Sequence, residues 1–79
     1  LEGHTVGLEE VNWLGEPLGV GDACAVQVRY RSRAVPARVT MMDGSRLELT
    51  LEEPARAITP GQSGVLYVED RVAGGGVIC

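Results

Sequence analysis

Arginine residues are concentrated in one segment of the sequence. Residues 23–42 contain four arginines and no acidic residue, whereas the rest of the chain holds three arginines and all eleven acidic residues. The four are Arg29, Arg31, Arg33 and Arg38. Guanidinium groups bind phosphate through paired hydrogen bonds, so one interpretation of the segment is a phosphate-binding strip. The alternative is a solvated face on which these arginines pair with Glu48, Glu52 or other acids.

Other residue types that carry chemistry occur singly or at unsuitable spacing. Cys24 and Cys79 lack the spacing of a metal or redox pair, and the only histidine, His4, belongs to no nucleophile motif. The adjacent carboxylates Glu9-Glu10 and Glu52-Glu53 face opposite sides of a strand, so they cannot form an acid–base couple. We therefore expect no catalytic, metal-binding or cofactor-binding residue. Cys24 is predicted to be a buried thiol, and Cys79 an exposed one, without a disulfide between them.

The run Gly74-Gly75-Gly76 has two interpretations. A glycine-rich loop can cradle a phosphate when a helix follows it. Here the apolar residues Val77 and Ile78 follow, which favours a strand instead. Glycine within a strand marks the close approach of another backbone. The run is therefore predicted to lie where a sheet closes on itself.

Composition limits the class of protein. With 79 residues, 44% of them hydrophobic and 23% charged, the sequence predicts one globular domain over residues 1–79. Its apolar runs are too short to cross a bilayer, and the first residues do not resemble a secretory signal. The net charge of −4 argues against nonspecific nucleic-acid binding by the whole surface. Because the chain begins at Leu1 rather than methionine, we expect a fragment of a larger protein.

Apolar and polar residues alternate along most of the chain, and glycine or proline interrupts the pattern repeatedly. No helix is predicted. Strands are predicted over residues 5–14, 23–31, 35–42, 46–52, 64–69 and 72–78, with a short extended piece over residues 56–59. Closure into a barrel leaves few strand edges exposed. The predicted fold class is therefore all-β, a small six- or seven-stranded antiparallel barrel.

Turn residues set the predicted boundaries of these strands. Asp43-Gly44 is a two-residue hairpin signal, because both residues tolerate a positive φ. Glu53-Pro54 is expected to end the fourth strand, since proline cannot donate to a ladder. Pro60-Gly61 has the signature of a type II turn.

Alternation also assigns a face to each side chain of the second strand. The apolar face holds Cys24, Val26, Val28 and Tyr30, whereas Arg29 and Arg31 lie on the solvent face. If a turn at residues 32–34 pairs this strand with the next, Arg38 joins the same face and Arg33 lies at the tip. No aromatic side chain is expected on this face. The strip is therefore predicted to bind RNA phosphates without reading bases by stacking.

Four groups of residues follow one another in a distinctive order. They are Val11-Asn12-Trp13, Val28-Arg29-Tyr30-Arg31, the stretch Pro54-Ala55-Arg56-Ala57-Ile58-Thr59-Pro60-Gly61-Gln62 with Val65-Leu66-Tyr67 after it, and Gly74-Gly75-Gly76-Val77-Ile78. The set closely resembles the C-terminus of the tRNA-specific 2-thiouridylase family, which is also labelled tRNA 5-methylaminomethyl-2-thiouridylate methyltransferase. The resemblance covers nearly the whole chain. It implies a C-terminal β-barrel similar to the second domain of elongation factor Tu.

Enzymes of this family use ATP to adenylate the C2 oxygen of the wobble uridine of tRNA, and then replace that oxygen with persulfide sulfur. The resemblance thus implies a parent sulfurtransferase that takes ATP as its cofactor and has an N-terminal ATP-pyrophosphatase domain and a central domain. The family's Ser-Gly-Gly-x-Asp-Ser nucleotide loop is absent from this chain, and neither Cys24 nor Cys79 matches the motifs of its catalytic cysteines. The chain is therefore expected to be non-catalytic alone.

The resemblance implies three partners, which are tRNA, the other two domains of the parent chain and a sulfur-carrier protein. The implied location is the cytoplasm, without membrane contact. Two alternatives remain open. One is a structural module that docks on the catalytic domain and contacts RNA little; the other is a free-standing binding barrel like those of translation factors. The position of the arginine strip, against RNA or against protein, separates the first alternative from an RNA-holding role.

Overall fold

Alternating apolar residues produce six antiparallel strands in the computed structural model, which describes residues 2–79, with side chains described from residue 4 onward. The strands are β1 (Glu2–Trp13), β2 (Ala23–Gln27), β3 (Val35–Asp43), β4 (Arg46–Arg56), β5 (Ser63–Val68) and β6 (Arg71–Ile78). They pair in the order β1-β4-β3-β2-β5-β6, and β6 pairs with β1 to close the barrel. The predicted all-β barrel is confirmed. Residues 2–79 contain no helix long and apolar enough to cross a bilayer.

The core lies inside the barrel and follows the predicted alternation. Buried positions recur at every second residue of β3 and β4, at Val35, Ala37, Val39, Leu47, Leu49 and Leu51. Val26 and Val28 are buried as predicted, and Trp13 packs against the same cluster while staying half-buried. Each fully buried Val or Leu side chain contributes roughly 1.5–3 kcal/mol relative to exposure. The interior side chains therefore supply the main driving force for folding.

The hairpin between β3 and β4 is confirmed, but its turn lies one residue later than predicted. Asp43 pairs with Arg46, so the two turn residues are Gly44 and Ser45. Gly44 has a φ of 63°, in the left-handed region that glycine adopts without strain. A positive φ at the first of two turn residues is typical of a type II′ hairpin, whose twist matches that of the strands.

The prediction that Glu53-Pro54 ends the fourth strand is wrong, because β4 continues to Arg56. Beyond Leu51, β4 pairs with β1 only, and its register with β1 shifts between Gly3 and Thr5. Proline is tolerated where a strand bulges or lacks a partner on one side. The additional residues of β4 place Arg56 at the end of the barrel.

The glycine run on β6 lies where the barrel closes, as predicted. Within β6, Gly75 faces both β1 and β5, and Gly76 pairs with Gly64 of β5. A Cβ atom on Gly75 would lie 2.8 Å from the Gly64 carbonyl oxygen, and one on Gly76 would lie 2.7 Å from the Glu9 carbonyl oxygen. Both obstacles are backbone atoms, so they cannot rotate away as a side chain would. The absence of side chains lets three strands approach closely.

The two cysteines should react at different rates, because their environments differ. Both are free; Cys79 is exposed, whereas Cys24 is half-buried rather than fully buried as predicted. Burial, and secondarily the negative charge of Asp22, raises the pKa of the Cys24 thiol. The thiolate is the reactive form. At neutral pH, titration of the native protein with an aromatic disulfide should therefore show one fast group, Cys79, and one slow group, Cys24.

Two variants separate the causes of this difference. Cys79→Ser should remove the fast phase. Asp22→Asn should lower the pKa of Cys24 and speed the slow phase, while the amide oxygen can still accept the 2.8 Å hydrogen bond from the Gly19 backbone N–H. Because the pKa of Cys24 is raised, the slow phase should also accelerate as the pH rises. Two fast groups in the native protein would contradict this interpretation.

Candidate nucleic-acid interface

The chain makes a hydrogen-bonded turn between β2 and β3. The backbone N–H and the hydroxyl of Ser32 both donate to the Arg29 carbonyl oxygen, at 3.2 and 2.8 Å, and the Gln27 side-chain amide donates to the Ser32 carbonyl at 2.7 Å. Arg31 has a φ of 73°, which is uncommon outside glycine. The prediction that the second strand extends to Arg31 is therefore wrong. We refer to residues 28–34 as the basic turn.

The basic turn exposes side chains of residues that the alternating pattern assigns to the second strand. Tyr30 is 88% exposed, so its predicted position on the core face is wrong. The guanidinium carbon of Arg31 lies 5.6 Å from the centre of the Tyr30 ring, within cation–π distance. Arg29 and Arg33 are exposed as well. An aromatic ring thus accompanies the arginines, contrary to the expectation that none would.

A groove of about 290 Å³ separates the basic turn from the end of β4. We call it the basic groove; its charged residues are Arg29, Arg33, Arg56 and Glu53. Arg33 forms an ion pair with Glu53, and their side chains are 71% and 40% exposed. A pair this exposed is worth about 0–1 kcal/mol. The guanidinium of Arg33 can therefore exchange Glu53 for a phosphate at little cost.

Arg38 lies apart from the basic turn. It faces solvent on β3, opposite Ala23 of β2, and its Nη1 donates to the Gly21 carbonyl oxygen at 2.5 Å. It stands three residues beyond Val35, where β3 begins, which is about 10 Å along a strand. The expected single strip of four guanidiniums is therefore wrong in its geometry: three arginines surround the turn, and Arg38 contacts the β1–β2 loop. Its role in RNA binding stays a prediction.

Two residues outside the arginine-rich segment also line this end of the barrel. One is Arg56, in the basic groove. The other is Gln62, which is exposed and lines a second groove beside Tyr30. Both residues belong to the distinctive stretch at residues 54–62, but no sequence pattern predicts that they lie near the basic turn, because only the closed barrel brings them there. The second groove, here the tyrosine groove, is lined by Val28, Arg29, Tyr30, Gly61, Gln62 and Ser63.

The far wall of the tyrosine groove is held by backbone hydrogen bonds. Gly61 has a φ of 93°, and the Gln62 N–H donates to the Thr59 carbonyl at 3.3 Å, which confirms the predicted type II turn at Pro60-Gly61. The Gly61 N–H donates to the Ile78 carbonyl, and the Ile78 N–H to the Gln62 carbonyl, both at 2.8 Å. The wall is therefore fixed to β6 while the Gln62 side chain stays available.

The groups that converge at this end of the barrel are mostly hydrogen-bond donors and one aromatic ring, beside the Glu53 carboxylate. They are guanidiniums, a phenol ring and an amide, which suit phosphates and nucleobases. Among residues 4–79, no group of three or more His, Cys, Asp or Glu could hold a metal ion. The arrangement is a basic surface with one exposed aromatic ring.

Comparison with known proteins finds similar sequences over nearly the whole chain. The family model described as the aminomethyltransferase β-barrel domain matches residues 4–78. Relatives named tRNA-specific 2-thiouridylase occur in Picosynechococcus sp., at 52% identity over 73 residues, and in Klebsiella pneumoniae subsp. pneumoniae, at 42% over 77 residues. These matches cover 90% and 94% of this chain but only 20% and 21% of the relatives. The chain therefore spans about a fifth of the length of the curated relatives it matches.

Proposed function

This chain belongs to the aminomethyltransferase β-barrel domain family, which occurs in tRNA-specific 2-thiouridylases, and from that premise we propose that it holds tRNA for such an enzyme. The proposed parent is a cytoplasmic sulfurtransferase that uses ATP to thiolate the wobble uridine. Catalysis then takes place on other domains of the parent, with sulfur delivered by a carrier protein. The barrel contributes binding energy and orientation.

The basic groove and the basic turn are the observation that carries this proposal. Arg29, Arg33 and Arg56 surround one groove, with Arg31 exposed on the turn beside it. Planar guanidiniums match phosphate oxygens bidentately, which makes arginine well suited to a nucleic-acid backbone. Four arginines from two separate segments meet at one end of the barrel, although the chain as a whole is acidic.

The charge of the rest of the surface also favours RNA binding at the end of the barrel that carries the basic groove. This end carries four arginines and three acids, Glu53, Glu69 and Asp70, whereas the rest of the chain holds three arginines and eight acidic residues. A negatively charged surface repels phosphates, whereas the basic end attracts them. RNA would therefore approach one end of the barrel only. The binding role is tested by removing guanidiniums of the basic groove and measuring the affinity for tRNA together with its salt dependence.

A docking module is the second candidate, and two contacts favour it. Arg33 is paired with Glu53, and Arg38 donates to the Gly21 carbonyl, so both arginines already have partners within the barrel. Contacts within the barrel can therefore explain the presence of these two surface arginines without bound RNA. In that case the exposed guanidiniums of the basic turn would meet acidic residues of another domain of the parent.

The isolated chain should be catalytically silent. Its converging groups include no nucleophile paired with a base, and the proposal assigns ATP and sulfur chemistry to other domains. Incubation of the 79-residue chain with ATP, a persulfide donor and an unmodified tRNA transcript should yield no 2-thiouridine by nucleoside mass spectrometry. The full-length protein serves as the positive control. Thiolated uridine from the isolated chain would contradict the assignment of a purely binding role.

A further inference from the structure

We infer that Tyr30 is a stacking platform for one unpaired base of the bound RNA. The inference rests on the proposed function and deepens it, because phosphate contacts alone hold any backbone, whereas a stacking residue selects unpaired nucleotides. Three features support it: the exposure of the ring, the way in which its segment is held, and the groups beside it.

The Tyr30 ring lies almost entirely in solvent. It is 88% exposed, the largest value among the exposed large hydrophobic residues Leu14, Val20, Tyr30 and Val72. Tyrosine normally buries much of its area within a core or an interface. The guanidinium carbon of Arg31 lies 5.6 Å from the centre of the ring. The ring is therefore free to accept a flat partner of nucleobase size.

The backbone that carries Tyr30 is well fixed although its side chain is exposed. Both Ser32 donors close the turn onto the Arg29 carbonyl, and Gln27 anchors the Ser32 carbonyl from β2. A fixed backbone reduces the conformational entropy lost when a ligand binds. Tyrosine adds little further cost, because only two side-chain torsions must be ordered.

The neighbours of Tyr30 suit a nucleotide better than an apolar protein partner. The adjacent Arg29 and Arg31 supply positive charge for the flanking phosphates, and the exposed Gln62 presents an amide across the tyrosine groove. An apolar docking patch would be expected to depend on further exposed apolar residues. The other residues that line this groove are Gly61 and Ser63, which offer little apolar surface, and Val28, which is buried.

Stacking requires a base that is not already stacked within a helix. In double-stranded RNA the bases are paired and stacked, whereas loops present bases that aromatic rings can bind. Stacking of one base on an aromatic side chain is worth an affinity change of about 5- to 150-fold on truncation. The expected ligand is thus a tRNA loop nucleotide with its phosphates on the basic turn.

The test compares two RNAs and three variants of the full-length protein. An unmodified tRNA transcript provides unpaired bases, and a blunt-ended RNA duplex of equal charge does not. Tyr30→Leu keeps an apolar side chain without a ring, and Tyr30→Phe keeps the ring without the hydroxyl. Arg29→Ala/Arg56→Ala reports on phosphate binding. Affinity is measured for each protein at several salt concentrations, and circular dichroism verifies that each variant is folded.

We expect Tyr30→Leu to weaken tRNA binding about 5- to 150-fold while leaving the salt slope and the affinity for the duplex unchanged. Tyr30→Phe should bind tRNA like the wild type. Wild-type tRNA affinity for Tyr30→Leu, or an equal loss on both RNAs, would overturn the inference. If Arg29→Ala/Arg56→Ala still loses affinity and slope, only the stacking inference has failed. If that variant also binds like the wild type, the proposed function has failed.

Discussion

Replacing Arg29 and Arg56 together by alanine should weaken tRNA binding by the full-length protein about 25- to 60-fold at about 0.1 M salt. Each arginine that neutralises a phosphate releases about 0.7–0.9 counterions, so losing two contacts should make the slope of log affinity against log salt shallower by about 1.4–1.8. The fold-change is this difference in slope applied over the tenfold range from about 1 M salt, where the electrostatic contribution is taken to vanish, to about 0.1 M salt. Both side chains are exposed at the basic groove, so the barrel should remain folded.

Two further variants make this result specific. Arg46 is exposed at the opposite end of β4 from Arg56, so Arg46→Ala removes one guanidinium, against two in the double variant, at a distance from the groove and should change affinity little. Glu53→Gln removes the carboxylate of the basic groove, which frees Arg33 and should strengthen binding. Filter binding or anisotropy at four or more salt concentrations measures all three. Equal affinity and slope for wild type and Arg29→Ala/Arg56→Ala would favour the docking module instead.

A methyl group at Gly74 should lower the free energy of unfolding by about 1–3 kcal/mol, and the upper end is expected. The new Cβ atom would overlap the Asn12 carbonyl oxygen and lie 3.0 Å from Cε3 of Trp13. Because the main obstacle is backbone of the neighbouring strand, β6 must shift away from β1 at the barrel closure. A domain of this size has a total stability of roughly 4–12 kcal/mol, so the loss is a large fraction.

Gly15→Ala is the matched control for this substitution. Apart from Gly15 itself and its two chain neighbours, no residue has a heavy atom within 4 Å of the position a Cβ would take at Gly15, which is exposed after the end of β1. An exposed substitution without close contacts usually changes stability by about 0.5 kcal/mol or less. Urea unfolding of both variants, followed by circular dichroism, gives the comparison. Equal midpoints for Gly74→Ala and the wild type would mean that the closure has room for a side chain.

Much of the fold could be predicted because one face of each strand is buried. The alternation of Leu47, Leu49 and Leu51 places β4 correctly, since a slip of one residue would expose all three. Alternation fails at Tyr30, because the chain leaves the strand after Gln27 through hydrogen bonds that Ser32 makes with Arg29. Hydrophobic pattern carries no information about such local bonds.

Only part of the candidate site could be predicted from the sequence, for a related reason. The arginines of the basic turn are close in sequence, so their concentration could be noticed directly. Arg56 is separated from them by more than twenty residues and by a proline that suggested the end of a strand. It reaches the basic groove because β4 tolerates Pro54 where β3 no longer pairs with it. Charge composition predicts which surface is basic, whereas strand register decides which residues complete it.

The pairing of the first strand with the last one also constrains when the domain can fold during its synthesis. Leu8 pairs with Ile78, so the barrel cannot close on the ribosome until β6 has left the exit tunnel. Contacts between residues so distant in sequence form only after the chain has lost much conformational entropy. For this reason β-rich domains of this kind fold in about milliseconds to seconds. Until then, β1 and the incomplete sheet present unpaired edges to the cell's chaperones.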